Sequence, residues 1–122
     1  MRKKIGWMMK MMMIRKAKAL SSLGMAMRAG KVISGDEIVL KAVRQGKAKL
    51  VIVAGDASDN TKKKFQDKCG TYNVKMVELF DRITLGESIG KSERVIIAVT
   101  EAGFSKIIIQ SLTQPSEVEY ID

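Results

Sequence analysis

Residues 49–54, Lys49-Leu50-Val51-Ile52-Val53-Ala54, decide the fold. Their apolar, mostly β-branched run has no polar face, so it is expected to form a strand covered on both sides, as in a sheet enclosed by helices. Arg94-Val95-Ile96-Ile97-Ala98-Val99 is a second run of the same kind, and Val74 to Leu79 reads as a further strand between the two. Around these runs the period changes. Ile14 to Arg28 places Ile14, Ala17, Leu20, Leu23 and Met27 three or four residues apart, the stripe of a helix, and Gly30 supplies its stop. A short extension, Lys31-Val32-Ile33, follows. Ser34 and Glu37 then have the spacing of a capping box, which opens a helix from Gly35 to Gln45. That helix is expected to bury Ile38, Val39, Ala42 and Val43 and to end at Gly46.

The rest of the chain repeats the alternation. Gly55-Asp56-Ala57-Ser58 reads as a loop carrying a cap, followed by a helix from Asp59 to Cys69 that Gly70 closes. Ile83 to Ile89 reads as a short helix and Ala102 to Leu112 as the last one. Helices separating buried strands predict an α/β fold, a three-layer α-β-α sandwich around a small mixed sheet of about four strands. A length of 122 residues fits a single domain that needs no disulfide or metal staple. Composition sets its edges: a basic, methionine-rich extension over 1–13, the domain over 14–113 and an acidic tail over 114–122. The extension holds six of the nine methionines and the only tryptophan, Trp7. Lys10 interrupts its apolar stretch and no clean cleavage site follows, which argues against a signal peptide.

Charge is distributed unevenly. Residues 1–31 carry nine basic side chains and no acidic one, 32–75 carry a net +4, and 76–122 a net −4. Clustered Lys and Arg release counterions from phosphates, so this front is the footprint of a polyanion binder. Other chemistries are poorly supplied. There is no histidine, which removes His-based acid/base catalysis and Cys/His zinc sites. The single cysteine, Cys69, cannot form an intrachain disulfide and has no histidine to activate it. Gly86-Glu87-Ser88-Ile89-Gly90-Lys91-Ser92 superficially resembles a phosphate loop, but it has three residues between the glycines where the motif needs four. It also closes a helix instead of opening one. The expectation is a non-enzymatic protein without cofactor or metal.

The most informative segment is Gly30-Lys31-Val32-Ile33-Ser34-Gly35-Asp36-Glu37-Ile38-Val39-Leu40-Lys41. Glu37 and Lys41 stand four apart on one helix face, at a helix start where unpaired N–H groups favour phosphate. Two roles remain open for Glu37: closing the capping box, or accepting hydrogen bonds from a base edge.

From Ile14 to Leu112 the chain resembles the small ribosomal-protein superfamily that binds kink-turn RNA (the L-seven-Ae and L-thirty-e group), in particular its bacterial YlxQ-like branch. The resemblance rests on Ala26-Met27-Arg28-Ala29-Gly30-Lys31, Gly35-Asp36-Glu37 with Lys41, and Ala48 to Ala54. Lys68-Cys69, Leu85 to Lys91 and Val95 to Val99 continue it in order. It implies an α-β-α sandwich whose glycine-Asn-Glu turn and following lysine read sheared G·A pairs, while the loop before the last strand packs on the bases of the kink. The RNA-binding residues it implies are Gly35, Asp36, Glu37 and Lys41, with Arg28 and Lys31 on phosphates and Ile89, Gly90, Lys91, Ser92 and Arg94 in the loop. Two positions depart from that pattern. Asp36 stands in place of the asparagine and cannot donate to a guanine oxygen, and Lys91-Ser92-Glu93 is polar where relatives are more apolar. The implied protein is a cytoplasmic monomer partnered by structured RNA and the ribosome, with no membrane contact. The alternative is a protein-interaction module of the same fold with a weakened RNA site.

Overall fold

The two apolar runs lie side by side at the centre of the sheet. The computed structural model describes residues 2–113, with side chains from 6 to 112. Its elements are α1 (Arg2–Arg28), β1 (Val32–Ser34), α2 (Asp36–Arg44), β2 (Leu50–Val53), α3 (Asp59–Thr71), β3 (Lys75–Glu78), α4 (Arg82–Ser88), β4 (Ile96–Val99) and α5 (Ala102–Thr113). The sheet order is β1-β4-β2-β3. β2 runs parallel to β3 and antiparallel to β4, which is itself antiparallel to β1. The sheet is therefore mixed, as expected.

Alternation along the two central strands divides the core. Val51, Val53, Ile96 and Ala98 face Val39, Ala42 and Val43 of α2 and Phe65 and Cys69 of α3. Leu50, Ile52, Ile97 and Val99 face Ala19 and Leu23 of α1, Leu85 of α4 and Ile108 of α5. Both faces are covered, which is why neither β2 nor β4 contains a polar residue. Each fully buried Leu, Ile or Val here contributes about 1.5–3 kcal/mol.

Four local expectations are corrected. The helix expected from Ile14 begins at Arg2 and runs for 27 residues. Methionine, lysine and arginine, nine of the twelve residues from 2 to 13, are good helix formers and Gly6 is the one glycine among those twelve, so the compositional break is not a structural one. The helix of α3 continues through Gly70 to Thr71, and the left-handed residue beyond it is Asn73 at φ 58°. Glycine permits a left-handed stop without imposing one. Ser34 is not a cap: it lies in β1, and α2 begins at Asp36 with Gly35 as its N-cap. Because the helix starts there, Val39, Ala42 and Val43 point inward and Ile38, one residue earlier, is 58% exposed. The acidic tail over 114–122 lies outside the described residues.

Candidate nucleic-acid interface

Strand direction gathers three helix starts at one edge of the sheet. β1, β2 and β3 all end there, leading into α2, α3 and α4, and the antiparallel β4 begins there. Backbone bonds knit the edge together. The Gly35 N–H donates to the Ile96 carbonyl at 3.1 Å, Ala54 N–H to Val95 at 2.8 Å, Gly55 N–H to Phe80 at 2.7 Å and Arg94 N–H to Arg82 at 2.9 Å.

The start of α2 is built around Gly35. Its φ of 103° with ψ 146° lies in a region that side chains avoid, and no side chain caps the helix. The first backbone bond of the helix is Val39 N–H to the Gly35 carbonyl, at 3.0 Å. The N–H groups of Asp36, Glu37 and Ile38 precede that bond and have no intrahelical partner. Glu37 is the second helical residue, exposed, with no hydrogen bond or ion pair among the described residues. Lys41 is exposed one turn further on. Asp36 instead holds the Lys64 ammonium of α3 at 2.8 Å.

The loop between α4 and β4 is pinned from behind. Gly86 packs so closely on it that a Cβ there would fall on the Ser92 carbonyl. The Arg94 guanidinium donates to Ser34 Oγ at 3.2 Å, Ser92 Oγ at 3.1 Å and the Glu93 carbonyl at 2.8 Å. Arg82 meets Asp56 Oδ2 at 3.2 Å and Glu93 Oε1 at 4.0 Å. The arginine thus fastens the loop to the turn that precedes α2, and Gly90, Lys91, Ser92 and Glu93 are its exposed residues. Ile89 is turned inward, 5% exposed in the core, so its side chain is not offered to a ligand.

The edge therefore brings together Gly35, Asp36, Glu37, Lys41, Arg94 and the loop, but not every expected residue. Lys31 lies at the opposite end of β1, where its carbonyl accepts from the Thr100 N–H at 2.9 Å. Four extended residues put its backbone about 13 Å from Gly35. Arg28 also sits at the end of α1, but its side chain folds back. A Cβ on Gly24 would lie 4.0 Å from Arg28 Nη1 and 3.4 Å from the Ser88 carbonyl, so the guanidinium approaches the end of α4.

Three contributors escaped the sequence reading. They are Lys64, one of the run Lys62-Lys63-Lys64 on α3, Ile38, expected in the core, and Ser34, expected as a cap. Ile38 had a local signal, since the glycine at 35 could have marked the helix start. The Asp36–Lys64 and Ser34–Arg94 contacts join residues 28 and 60 apart and had none. As for other chemistry, burial pushes the Cys69 thiol above its ordinary pKa, away from thiolate reactivity. Among the described residues no group of three or more His, Cys, Asp or Glu could hold a metal ion. No helix among them is long and apolar enough to cross a membrane.

Known proteins are similar to this chain in sequence and in fold. Residues 17–109 match the family model for the ribosomal protein L7Ae/L30e/S12e/Gadd45 family. The chain is 49% identical over 90 residues to the RNA-binding protein YlxQ of Bacillus subtilis (strain 168), covering 74% of this chain and 90% of that protein. It is 33% identical over 94 residues to the large ribosomal subunit protein eL30B of Schizosaccharomyces pombe, covering 72% and 77% respectively. A solved structure of a protein of unknown function from Bacillus halodurans C superposes with a TM-score of 0.78 at 46% identity, over 80% of this chain and 99% of that one. The Giardia lamblia 15.5kD RNA binding protein shares the fold with a TM-score of 0.69 at 20% identity, over 88% and 90% of the two chains.

Proposed function

The chain belongs to the ribosomal protein L7Ae/L30e/S12e/Gadd45 family, in its YlxQ branch, and from that premise we propose that it binds structured RNA of the kink-turn type. The observation that carries the proposal is the unpartnered Glu37 carboxylate on an uncapped helix start. A carboxylate accepts only, and two oxygens can take both donors of a guanine edge. The free N–H groups beside it suit a phosphate, and Lys41 adds a cation one turn away. Ile38 offers an apolar surface to a base. The exposed loop residues Gly90, Lys91 and Ser92 close the other side, held by Arg94 from within. Arg28 and Lys31 meet phosphates at the margin, positioning the RNA without reading it. The role is non-enzymatic and cytoplasmic, on ribosomal or other structured RNA, with the protein acting as a monomer.

Replacing Glu37 with Gln tests this reading. The helix start does not depend on that side chain, so thermal stability should stay within about a degree or two of wild type, a cap-neutral change. Binding is compared between a kink-turn RNA and the same strands with the sheared G·A pairs replaced by Watson–Crick pairs. Loss of a bidentate base contact, worth about 1–3 kcal/mol, should cut the preference roughly five- to over a hundredfold. A Gln variant that discriminates as well as wild type would remove the base-reading role. Asp36 favours the second reading, a protein-docking module with a weakened RNA site, because its carboxylate stands among the phosphate-facing groups. Wild-type chain that binds ribosomes yet ignores both RNAs would support that reading.

A further inference from the structure

The sheet has a second edge, opposite the one that carries Gly35 and Glu37, and its charge has the other sign. β1, β2 and β3 begin there and β4 ends there, so α1, α2 and α3, each leading into one of those strands, bring their C-terminal ends to it. Backbone bonds join the pieces. The Thr100 N–H donates to the Lys31 carbonyl at 2.9 Å and the Lys49 N–H to Val99 at 2.8 Å, while Leu50 of β2 pairs with Lys75 of β3. With strands about 4.8 Å apart, the row from Lys31 past Lys49 to Lys75 is about 14 Å long.

The segments that meet there are basic. Residues 28–32 bring Arg28 and Lys31, residues 44–49 bring Arg44, Lys47 and Lys49, and residues 68–75 bring Lys68 and Lys75. Against these stands one acid in 100–101, Glu101, whose carboxylate accepts the Phe104 N–H at 2.7 Å. The matching segments of the other edge, 34–37, 54–59, 78–82 and 88–95, hold seven acids and three bases. Helix dipoles call for part of this division, because a C-terminus carries about half a negative charge and favours a cation. Three such ends offset only about one and a half positive charges. Lys49 has a structural task besides, donating to the Gly46 carbonyl at 3.0 Å. The others have none. Lys31, Arg44, Lys47, Lys68 and Lys75 make no ion pair or side-chain hydrogen bond among the described residues, and all but Lys68 are exposed. Like charges held together without partners repel, and a polyanion relieves them.

We propose that this edge is a second nucleic-acid surface, which takes the phosphate backbone of a plain duplex by charge and reads no base. Its dimensions suit that ligand. A duplex carries one negative charge per about 1.7 Å of its axis, so about eight lie along the length of the row. The surface is independent of base reading by Glu37 and lies at the other end of the strands. A chain holding a kink-turn at α2 would therefore hold a second RNA segment behind it and bridge the two.

The salt dependence of binding to a plain RNA duplex without a kink tests this surface. Arg44→Gln, Lys47→Gln and Lys68→Gln together remove three cations and keep good helix formers, and thermal melting checks that the fold is retained. At about 0.9 per neutralised phosphate, the slope of log affinity against log salt should flatten by about 2–3, and duplex affinity near 0.1 M salt should fall roughly ten- to a hundredfold. A matched variant, Lys10→Gln with Lys16→Gln and Lys18→Gln, removes the same charge from α1 and should change the slope much less. An unchanged slope in the first variant would overturn the proposal. Equal losses in both would do so too, leaving net charge as the only determinant. Saturation with kink-turn RNA should leave duplex binding in place, whereas competition between the two would move the duplex onto the α2 edge and overturn the second surface. Binding to phosphatidylserine vesicles in preference to the duplex would give the surface to a lipid headgroup instead. Wild type that ignores kink-turn RNA yet shows the expected duplex pattern would overturn the role of Glu37 and support this one.

Discussion

Helices α2 and α4 begin at the same edge of the sheet and begin differently. The start of α4 is closed: Asp81 accepts the Thr84 N–H at 2.7 Å. α3, between them in sequence, is closed in the same way, with Ser58 Oγ accepting the Thr61 N–H at 3.1 Å. The start of α2 has a glycine where those helices have a capping side chain, and its acids face outward. Capping satisfies the donors of a helix end from within the protein. Leaving them open forgoes about 1 kcal/mol and keeps them available to a ligand. The contrast separates helix starts satisfied from within the protein from one left open, as the proposed RNA role requires.

Gly35→Ala should break the contrast most severely. At φ 103° and ψ 146° an added Cβ meets no neighbouring atom, so the cost lies in the backbone conformation alone. Such conformations cost about 1–3 kcal/mol in residues other than glycine. Urea unfolding should show that loss, and RNA binding should weaken beyond it as the N–H groups of α2 turn away. An alanine variant as stable as wild type would mean that the turn carries no strain.

Ser58→Ala removes a cap from the closed side. Stability should fall by about 1 kcal/mol, with the kink-turn preference unchanged. A lost preference would show that the start of α3 belongs to the interface.

Asp36→Asn has a smaller effect on stability, about 0–1 kcal/mol, because the pair with Lys64 is half-exposed on both sides. Its effect on RNA should go the other way. The substitution removes a negative charge from the open helix start, supplies a donor and frees the Lys64 ammonium, so RNA should bind more tightly. Equal or weaker binding would give Asp36 a positioning role through Lys64.

The contrast also marks what a sequence can and cannot convey. β2 and β4 were legible because strands buried on both faces must be apolar throughout. β1 was visible only as a short extension, since its three residues are held by pairing with β4, more than sixty positions away. Ser34-x-x-Glu37 had the spacing of a cap, but spacing does not fix where a helix starts. The strand that holds Ser34 and the Arg94 guanidinium that bonds it are both tertiary facts. Glu37 and Lys41 stood out because the helical period joins them; Lys64 did not, because only the packing of α3 against α2 brings it to Asp36.

The smallest expected effect is on the closed side and concerns acid. The backbone bond from Thr84 holds the Asp81 carboxyl below its ordinary pKa, with the Thr84 hydroxyl adding to it. A carboxylate with a depressed folded-state pKa adds stability that is complete above the unfolded value, near pH 4. That stability is lost as the pH falls through the lower, folded value. Asp81→Asn keeps an acceptor for the Thr84 N–H but has nothing to titrate. Near neutrality the variant should be slightly less stable, for want of the charge that favours a helix start. Between about pH 5 and pH 2 wild type should lose that margin and the two unfolding curves should converge. A constant gap for Asp81→Asn would show that the bonds from Thr84 do not favour the charged carboxyl, and the closed helix start would lose its electrostatic part.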